Sequence, residues 1–439
     1  MLILFSVFPV FTQDLGVSIN KIIVMQNPDN ITGAETIRSR LRIYEGQSFS
    51  SARQLYTALD EQRQLLLNTR YFSSLDIKAA AASSVADSYD VSISYAEDLT
   101  FFPIPYAKPD SSIGSNGWSF GLKTIYDNSF GTMTDFFFEG SLDFAFGEVQ
   151  TMKGWEIESS WSNITVGNSI LSVEYMQTYK TTEVTDPSEP EGFQLLQHYT
   201  NHESILKTVF EFEIDSLWTY SISPEIGFRY LYSYHHDFEG QQTQENSNVI
   251  EDRIYMLISN SIGQEKVDWI GAFRDGWAFD FTNNMCFIDS YDIQNEMEFF
   301  RFATDIELSG RLYKKIGSYF NYYTKLETLA VLNDYQTELG ERLRGVKNSS
   351  MYGDLGIFWL NTLGIELFGS ESFHLQLHPF IDTGIVFYTK DVKPISDILR
   401  VGIGTEGVLM LGSIDIKGKI GYDPVSDYLD FSFTTDLSY

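Results

Sequence analysis

Asp135-Phe136-Phe137-Phe138-Glu139-Gly140-Ser141-Leu142-Asp143-Phe144-Ala145-Phe146 is the stretch that decides the fold. Phe136, Phe138, Leu142, Phe144 and Phe146 hold one parity, and Asp135, Glu139, Ser141 and Asp143 hold the other. Side chains of a strand alternate between faces, so the pattern sets a row of aromatics opposite a row of charges. Such faces need two different solvents. The alternation returns at Phe210, Phe212 and Ile214 against Glu211 and Glu213. It returns again at Phe300, Phe302, Ile306 and Leu308 against Arg301, Asp305 and Glu307. Near the end, Leu429, Phe431, Phe433, Leu437 and Tyr439 alternate with Asp430, Ser432, Thr434 and Asp436. A large soluble β-sandwich and a barrel with lipid outside and water within both satisfy this. Many of the runs reach ten residues or more, where sandwich strands usually have ~5–6. About sixteen strands can be marked, an even number ending on an aromatic, which predicts a membrane barrel.

Composition agrees with that class without proving it. The chain has 439 residues, a net charge of -30, 15% aromatic residues and one cysteine. Its mean hydropathy of -0.15 does not separate soluble proteins from barrels, because lipid-facing residues alternate with polar ones. No stretch approaches the ~18 apolar residues of a spanning helix. The acidity excludes nucleic acid as a partner, since phosphates would be repelled. Cys286 alone forms no internal disulfide. Residues 14–98 hold eight Lys/Arg and eleven Asp/Glu, leaving -27 for residues 99–439. Charge on a lipid face costs up to ~2–4 kcal/mol, so most of it belongs in loops and lumen.

Residues 1–13 open with an apolar run, Met1 to Thr12, too short to span a bilayer as a helix. They are expected to be the remnant of a signal peptide lacking its basic start, with a buried strand as the alternative. Residues 17–98 form a compact α+β unit. Val17, Ile19, Ile23 and Met25 share a strand parity, and a short helix is expected from about 33 to 41. A longer helix begins at Ser50 with Ala52, Leu55, Ala58, Leu59 and Leu66 on one stripe. Strands follow from Tyr71 and through Val91, Ile93 and Tyr95.

With Gly46 after the first helix and Tyr71-Phe72-Ser73 opening the next strand, this unit resembles a POTRA domain. The resemblance implies that the strand carrying Ser73, Leu75 and Ile77 is an open edge, which pairs with an incoming extended peptide. The alternative is a mere spacer. Residues 99–116 contain Pro103, Pro105 and Pro109 and are expected to be a linker. The barrel is placed at 117–439, its first strand at about 118–125 and its last at about 427–439. Asp127-Asn128-Ser129-Phe130-Gly131 follows the first strand as a turn.

Late in the chain, Leu343-Arg344-Gly345-Val346 lies in a polar segment of about 333–353. Glu366-Leu367 and Phe380-Ile381-Asp382 follow. With a POTRA-like unit in front, the whole resembles the outer-membrane assembly and secretion superfamily of BamA, TamA and the TpsB-type two-partner secretion transporters. In that family a loop carrying V/I-R-G-F/Y folds back into a surface-antigen-type barrel, and its Arg meets the Asp of an F-x-D strand. Arg344, Gly345, Phe380 and Asp382 match, and Glu366-Leu367 matches an E-L strand between them. Leu343 replaces the usual Val or Ile and Val346 the aromatic, which puts the packing of the loop tip in question.

The resemblance implies a single POTRA and a sixteen-stranded antiparallel transmembrane β-barrel in the bacterial outer membrane, with the POTRA domain in the periplasm. It implies a lock of Arg344 and Gly345 on Asp382, with Glu366 nearby. It also implies a lateral seam between Trp118, Phe120 and Leu122 of the first strand and Phe433, Leu437 and Tyr439 of the last. The expected function is inserting or translocating unfolded outer-membrane or secreted polypeptides, among membrane lipids and with periplasmic chaperones or lipoproteins as partners. The alternative is a transport pore or surface-exposed structural barrel without client handling. No enzyme, cofactor or metal is expected. Gly402-Ile403-Gly404-Thr405-Glu406-Gly407 matches G-x-G-x-x-G, but a strand, not a helix, follows it. His235 and His236 are adjacent and face opposite sides of a strand. There is no G-x-S-x-G nucleophile elbow.

Overall fold

The computed structural model describes residues 16–437 apart from 28–29, 84, 99, 110–116, 147–150, 168, 186–195, 216–217, 238–250, 293–296, 333–336, 348–349, 371–372, 390–397 and 412–413. The leader expected at 1–13 lies outside these. The chain divides into two units.

The N-terminal unit runs β1 (Val17–Met25), α1 (Ala34–Ser39), β2 (Ser48–Phe49), α2 (Ala52–Asn68), β3 (Phe72–Ala81) and β4 (Ser88–Glu97). Its sheet has the order β2-β1-β4-β3, with β1 and β4 parallel, so β3 is an edge strand. The helix stripe of Leu55, Leu59 and Leu66 is buried, as are Ile19, Val91 and Ile93 of the sheet, and these residues make up the unit's core. The cap of α2 is Ser51 rather than Ser50; its hydroxyl accepts from Gln54 N at 3.3 Å. Two buried polar groups close the fold: Gln62 Oε1 accepts from Arg42 N at 2.7 Å, and Tyr95 Oη donates to Thr32 O at 2.6 Å.

The second unit is one sixteen-stranded antiparallel sheet. Its strands are β5 (Phe101–Pro109), β6 (Gly117–Tyr126), β7 (Asp135–Ala145), β8 (Thr151–Val166), β9 (Ser169–Thr185), β10 (Leu196–Glu213), β11 (Trp218–Asp237) and β12 (Glu251–Ile270). They continue with β13 (Phe273–Asp292), β14 (Met297–Ile316) and β15 (Phe320–Leu332). After a small hairpin of β16 (Thr337–Glu338) and β17 (Tyr352–Gly353), the sheet resumes with β18 (Leu355–Gly369), β19 (Phe373–Phe387), β20 (Leu399–Leu411), β21 (Ile414–Asp423) and β22 (Tyr428–Leu437). Five of these strands, β11 to β14 among them, have 18–20 residues, far beyond sandwich lengths. Among the described residues no helix is long and apolar enough to cross a membrane.

Two expectations about the start of this sheet are corrected. Residues 101–109, expected within a linker, are its first strand, and the strand at Gly117–Tyr126 is its second. The prolines at 103, 105 and 109 share one parity, so the even residues keep the N–H groups that ladder with β6. Proline-rich composition suggested a linker; parity permits a strand. Residues 127–134 form the turn into β7, where Asn128 Oδ1 accepts from Met133 N at 2.8 Å.

The sheet is concave toward its polar face. Ala272, in the turn between β12 and β13, packs across that face on Val408 and Met410 of β20, and Gln376 Nε2 of β19 donates to its carbonyl at 3.0 Å. Apolar residues such as Phe279 and Phe281 line the convex face. The ends of the sheet lap. Phe102 and Ile125, on the concave face, pack with Leu411 and Ile416, whose parity is convex. Among the described residues no ladder joins β5 to β22.

Candidate functional site

Residues 333–354 connect β15 to β18. Leu339, Leu343, Val346 and Met351 are buried there against Leu329 of β15, Phe358 of β18 and Val386 of β19. Removing apolar surface from water contributes ~25 cal/mol per Å², which draws the loop onto the concave face. Leu343 and Val346, the two departures from the family pattern, are both in this cluster.

A 3₁₀ turn at Gly340–Arg342 delivers Arg344 to the wall. Arg344 Nε donates to Asp382 Oδ2 and Nη2 to Asp382 Oδ1, each at 2.7 Å. This is the two-pronged geometry that a guanidinium and a carboxylate match. Asp382, on β19, is fully buried. It also accepts from the backbone N of Arg344 and of Asn361, both at 3.2 Å. Nη2 donates further to Thr362 Oγ1 at 2.8 Å, and the guanidinium lies 4.1 Å from the Phe380 ring centroid. Nη1 is 3.8 Å from Glu406 Oε2 of β20. One side chain thus ties the loop to β18, β19 and β20.

Close backbone approach makes this possible. Gly345 has φ +80°, and a Cβ there would meet Tyr422 N at 2.7 Å and Gly421 C at 2.8 Å. A Cβ on Gly402 would stand 1.9 Å from the Arg344 carbonyl. The glycines that mimic a dinucleotide fingerprint sit on β20, and Gly402 lies directly beneath the loop.

Glu366, expected near this pair, is elsewhere. It lies four residues beyond Thr362 on β18, roughly 13 Å along the strand, where Oε1 is 2.7 Å from His374 Nδ1. Glu406 and Thr362 occupy the place expected for it, because cross-strand register, not order in the chain, decides which acids meet.

Arg342 belongs to no motif, yet it adds a second anchor. Its Nη1 donates to Glu307 Oε2 of β14 at 2.8 Å and contacts Glu327 of β15, which also pairs with Lys325. Glu327 is almost wholly buried. The parity of the acids at Glu307 and Glu327 marks them as concave-facing, but only the fold brings Arg342 to them. Below Arg344 a cavity of about 290 Å³ is lined by Thr362, His378, Glu406, Trp269 and Arg274 among others. Arg274 lies 4.6 Å from the Trp269 ring centroid.

The other expected residues are placed as follows. Trp118, Phe120 and Leu122 are on the convex face of β6, the second strand, so they do not border the ends of the sheet. Phe433 is on β22 and 60% exposed. Leu437 ends that strand, its side chain outside the described residues, as are those of His235 and His236; Tyr439 lies outside them altogether. On edge strand β3, Ser73 is exposed, Leu75 is buried and Ile77 half-buried. Arg63 Nε of α2 donates to the Leu75 carbonyl at 2.9 Å, so one acceptor there is occupied.

No family model matches the sequence, and no curated protein matches it. Solved structures do. CdiB from Acinetobacter baumannii is similar over 96% of this chain and 74% of its own, at 12% identity and TM-score 0.55. CdiB from Escherichia coli is similar over 98% and 90%, at 10% identity and TM-score 0.49. BamA from Haemophilus ducreyi lacking POTRA domains 1–3 is similar over 96% and 84%, at 13% identity and TM-score 0.45. The chain thus shares the fold of CdiB from Acinetobacter baumannii.

Proposed function

We propose that the protein is an outer-membrane β-barrel that inserts or translocates other polypeptides, with no covalent chemistry. Its N-terminal unit is a POTRA domain in the periplasm that receives extended clients at β3. The observation that carries this is the loop pinned to the concave wall by Arg344 and Asp382. A pore needs an open lumen, whereas this loop and the β12–β13 turn both occupy the concave face. Three strands, β18 to β20, are bound together through one guanidinium. That half of the wall is stiffened, while the unladdered ends of the sheet are left to move. Exposed backbone groups cannot stay unpaired in hydrocarbon, so a client strand is stabilised at such an end.

The test is reconstitution into phosphatidylcholine vesicles with a urea-unfolded outer-membrane barrel polypeptide as client. Folding is read by the change in gel mobility on heating. The protein is expected to accelerate folding over empty vesicles and Arg344→Ala to reduce the gain. Steady conductance without any acceleration would refute client handling and favour a pore.

A further inference from the structure

The convex face of the sheet carries side-chain amides where hydrocarbon is expected. On β13 the residues of that face are apolar from Trp277 to Phe287, interrupted only at Asn283, with Asp275 and Asp289 beyond the two ends. That length of strand rises roughly 33 Å, which the tilt of a barrel strand reduces to about the 25 Å of an apolar band. Asn283 therefore lies near the midplane. Asn260 is directly opposite it on β12, and Tyr220 of β11 and Thr304 of β14 share the same face.

The hydrogen bonds of this group leave one donor and one acceptor unused. Tyr220 Oη donates to Asn260 Oδ1 at 3.0 Å. Asn283 Nδ2 donates to Thr304 Oγ1 at 3.2 Å and to the Asp305 carbonyl at 3.0 Å, and Thr304 Oγ1 donates to the Asn284 carbonyl at 2.7 Å. Among the described residues, Asn260 Nδ2 and Asn283 Oδ1 have no partner. Water would supply one, whereas lipid tails offer an amide nothing to bond. A second polar group on the convex face, on β15 and β18, has a different remainder. There Asn361 Oδ1 accepts from Tyr322 Oη at 2.7 Å and from Thr324 Oγ1 at 3.1 Å, so the amide has only its donor to offer.

A donor and an acceptor on adjacent strands make a set that is complementary to itself. A two-fold contact presents the same patch on both subunits. With the axis along the membrane normal, Asn260 Nδ2 of each copy meets Asn283 Oδ1 of the other, while Asn361 would meet only another donor. Amides hydrogen-bond across packed elements within membranes for want of any other partner. We infer that the β11–β14 wall is the interface of a dimer, that its occupant is a second copy of this chain, and that two reciprocal Asn260–Asn283 hydrogen bonds hold it near the midplane. Ile258, Ile262, Phe281 and Met285 flank the amides and supply the apolar packing around them. The wall lies mid-sheet, so the dimer leaves both ends of the sheet clear. This inference rests on the membrane-barrel reading proposed above and not on client handling.

The test uses the full chain carrying Cys286→Ser and Ser318→Cys, the second in the exposed turn between β14 and β15, reconstituted in dioleoylphosphatidylcholine vesicles. Copies labelled on the new thiol with a donor or an acceptor dye are mixed, and energy transfer is followed as the protein is diluted with lipid. Transfer that falls on dilution is expected. Asn260→Leu alone and Asn283→Leu alone should each raise the dissociation constant ~10-fold, because either change removes both reciprocal bonds. A mixture in which donor copies carry one change and acceptor copies the other keeps one bond. It is expected to associate ~3-fold more tightly than either variant with itself. Asn260→Ala and Asn283→Ala replace these variants if a leucine variant loses its heat-dependent gel shift. No transfer from a parent that keeps its gel shift, single variants that associate as tightly as the parent, or a mixture no tighter than its components overturns the inference and leaves the barrel standing. A parent that shows no gel shift and stays soluble without detergent overturns both.

Discussion

Removing the Arg344 side chain isolates the most buried carboxylate in the molecule's loop site. Arg344→Ala deletes two 2.7 Å charge-assisted bonds to Asp382 and the 2.8 Å bond to Thr362. Asp382, at 0% exposure, retains only the backbone N–H groups of Arg344 and Asn361, both at 3.2 Å. Stranding one partner of a buried pair costs ~3–5 kcal/mol, at about 1.4 kcal/mol per tenfold. The docked-to-undocked ratio of the loop should therefore fall by roughly two to three and a half orders of magnitude. Amide hydrogen exchange over residues 339–347 reads that ratio directly. Arg344→Ala combined with Asp382→Ala should be less damaging than the sum of the single changes, because no charge is then stranded. Exchange in Arg344→Ala within a factor of about two of the parent, or strict additivity of the two changes, would refute the reasoning.

Gly345→Ala should undock the same loop with both charges intact. Its φ of +80° and the backbone 2.7 Å from a new Cβ imply a cost of at least ~1–3 kcal/mol, read by the same exchange. Arg342→Ala should release the β14–β15 side with a smaller effect, about 1–3 kcal/mol, since Glu327 keeps Lys325; urea midpoints of the heat-dependent gel shift report it. In the N-terminal unit, burial and then the Glu97 carboxylate raise the Tyr95 hydroxyl above its usual value of 10. Its stabilising contribution is thus complete below pH 10 and lost as pH rises through the folded-state value. Tyr95→Phe should cost ~0.5–1.5 kcal/mol at neutral pH and flatten the loss of stability above pH 10, measured by thermal unfolding of the full chain followed through its helical circular dichroism signal.

Much of the fold was legible from residue order because period-two alternation is local. Phe136 to Phe146 needs no partner to declare which side faces which solvent, and repeating that test marks about sixteen strands after residue 116, where the sheet has fifteen because its first strand, Phe101–Pro109, lies in the stretch expected as linker. The loop motif was legible because Arg344, Gly345 and Asp382 are a chemically specific set. Other features depend on which strands become neighbours. Glu366 shares the face of Thr362 but is drawn to His374, while Glu406, forty residues later, comes within 3.8 Å of Arg344. Arg342 meets Glu307 and Glu327 because β14 and β15 border the loop in the sheet. The prolines of β5 look like linker punctuation until their parity is set against the ladder with β6. By itself the sequence determined the alternation and the residue types able to lock a loop. Tertiary structure alone decided which carboxylates those arginines meet, which strand comes first and how the ends of the sheet approach one another. The reason is physical: strand periodicity is written in each residue's immediate neighbours, whereas register and closure are set by contacts between segments tens to hundreds of residues apart.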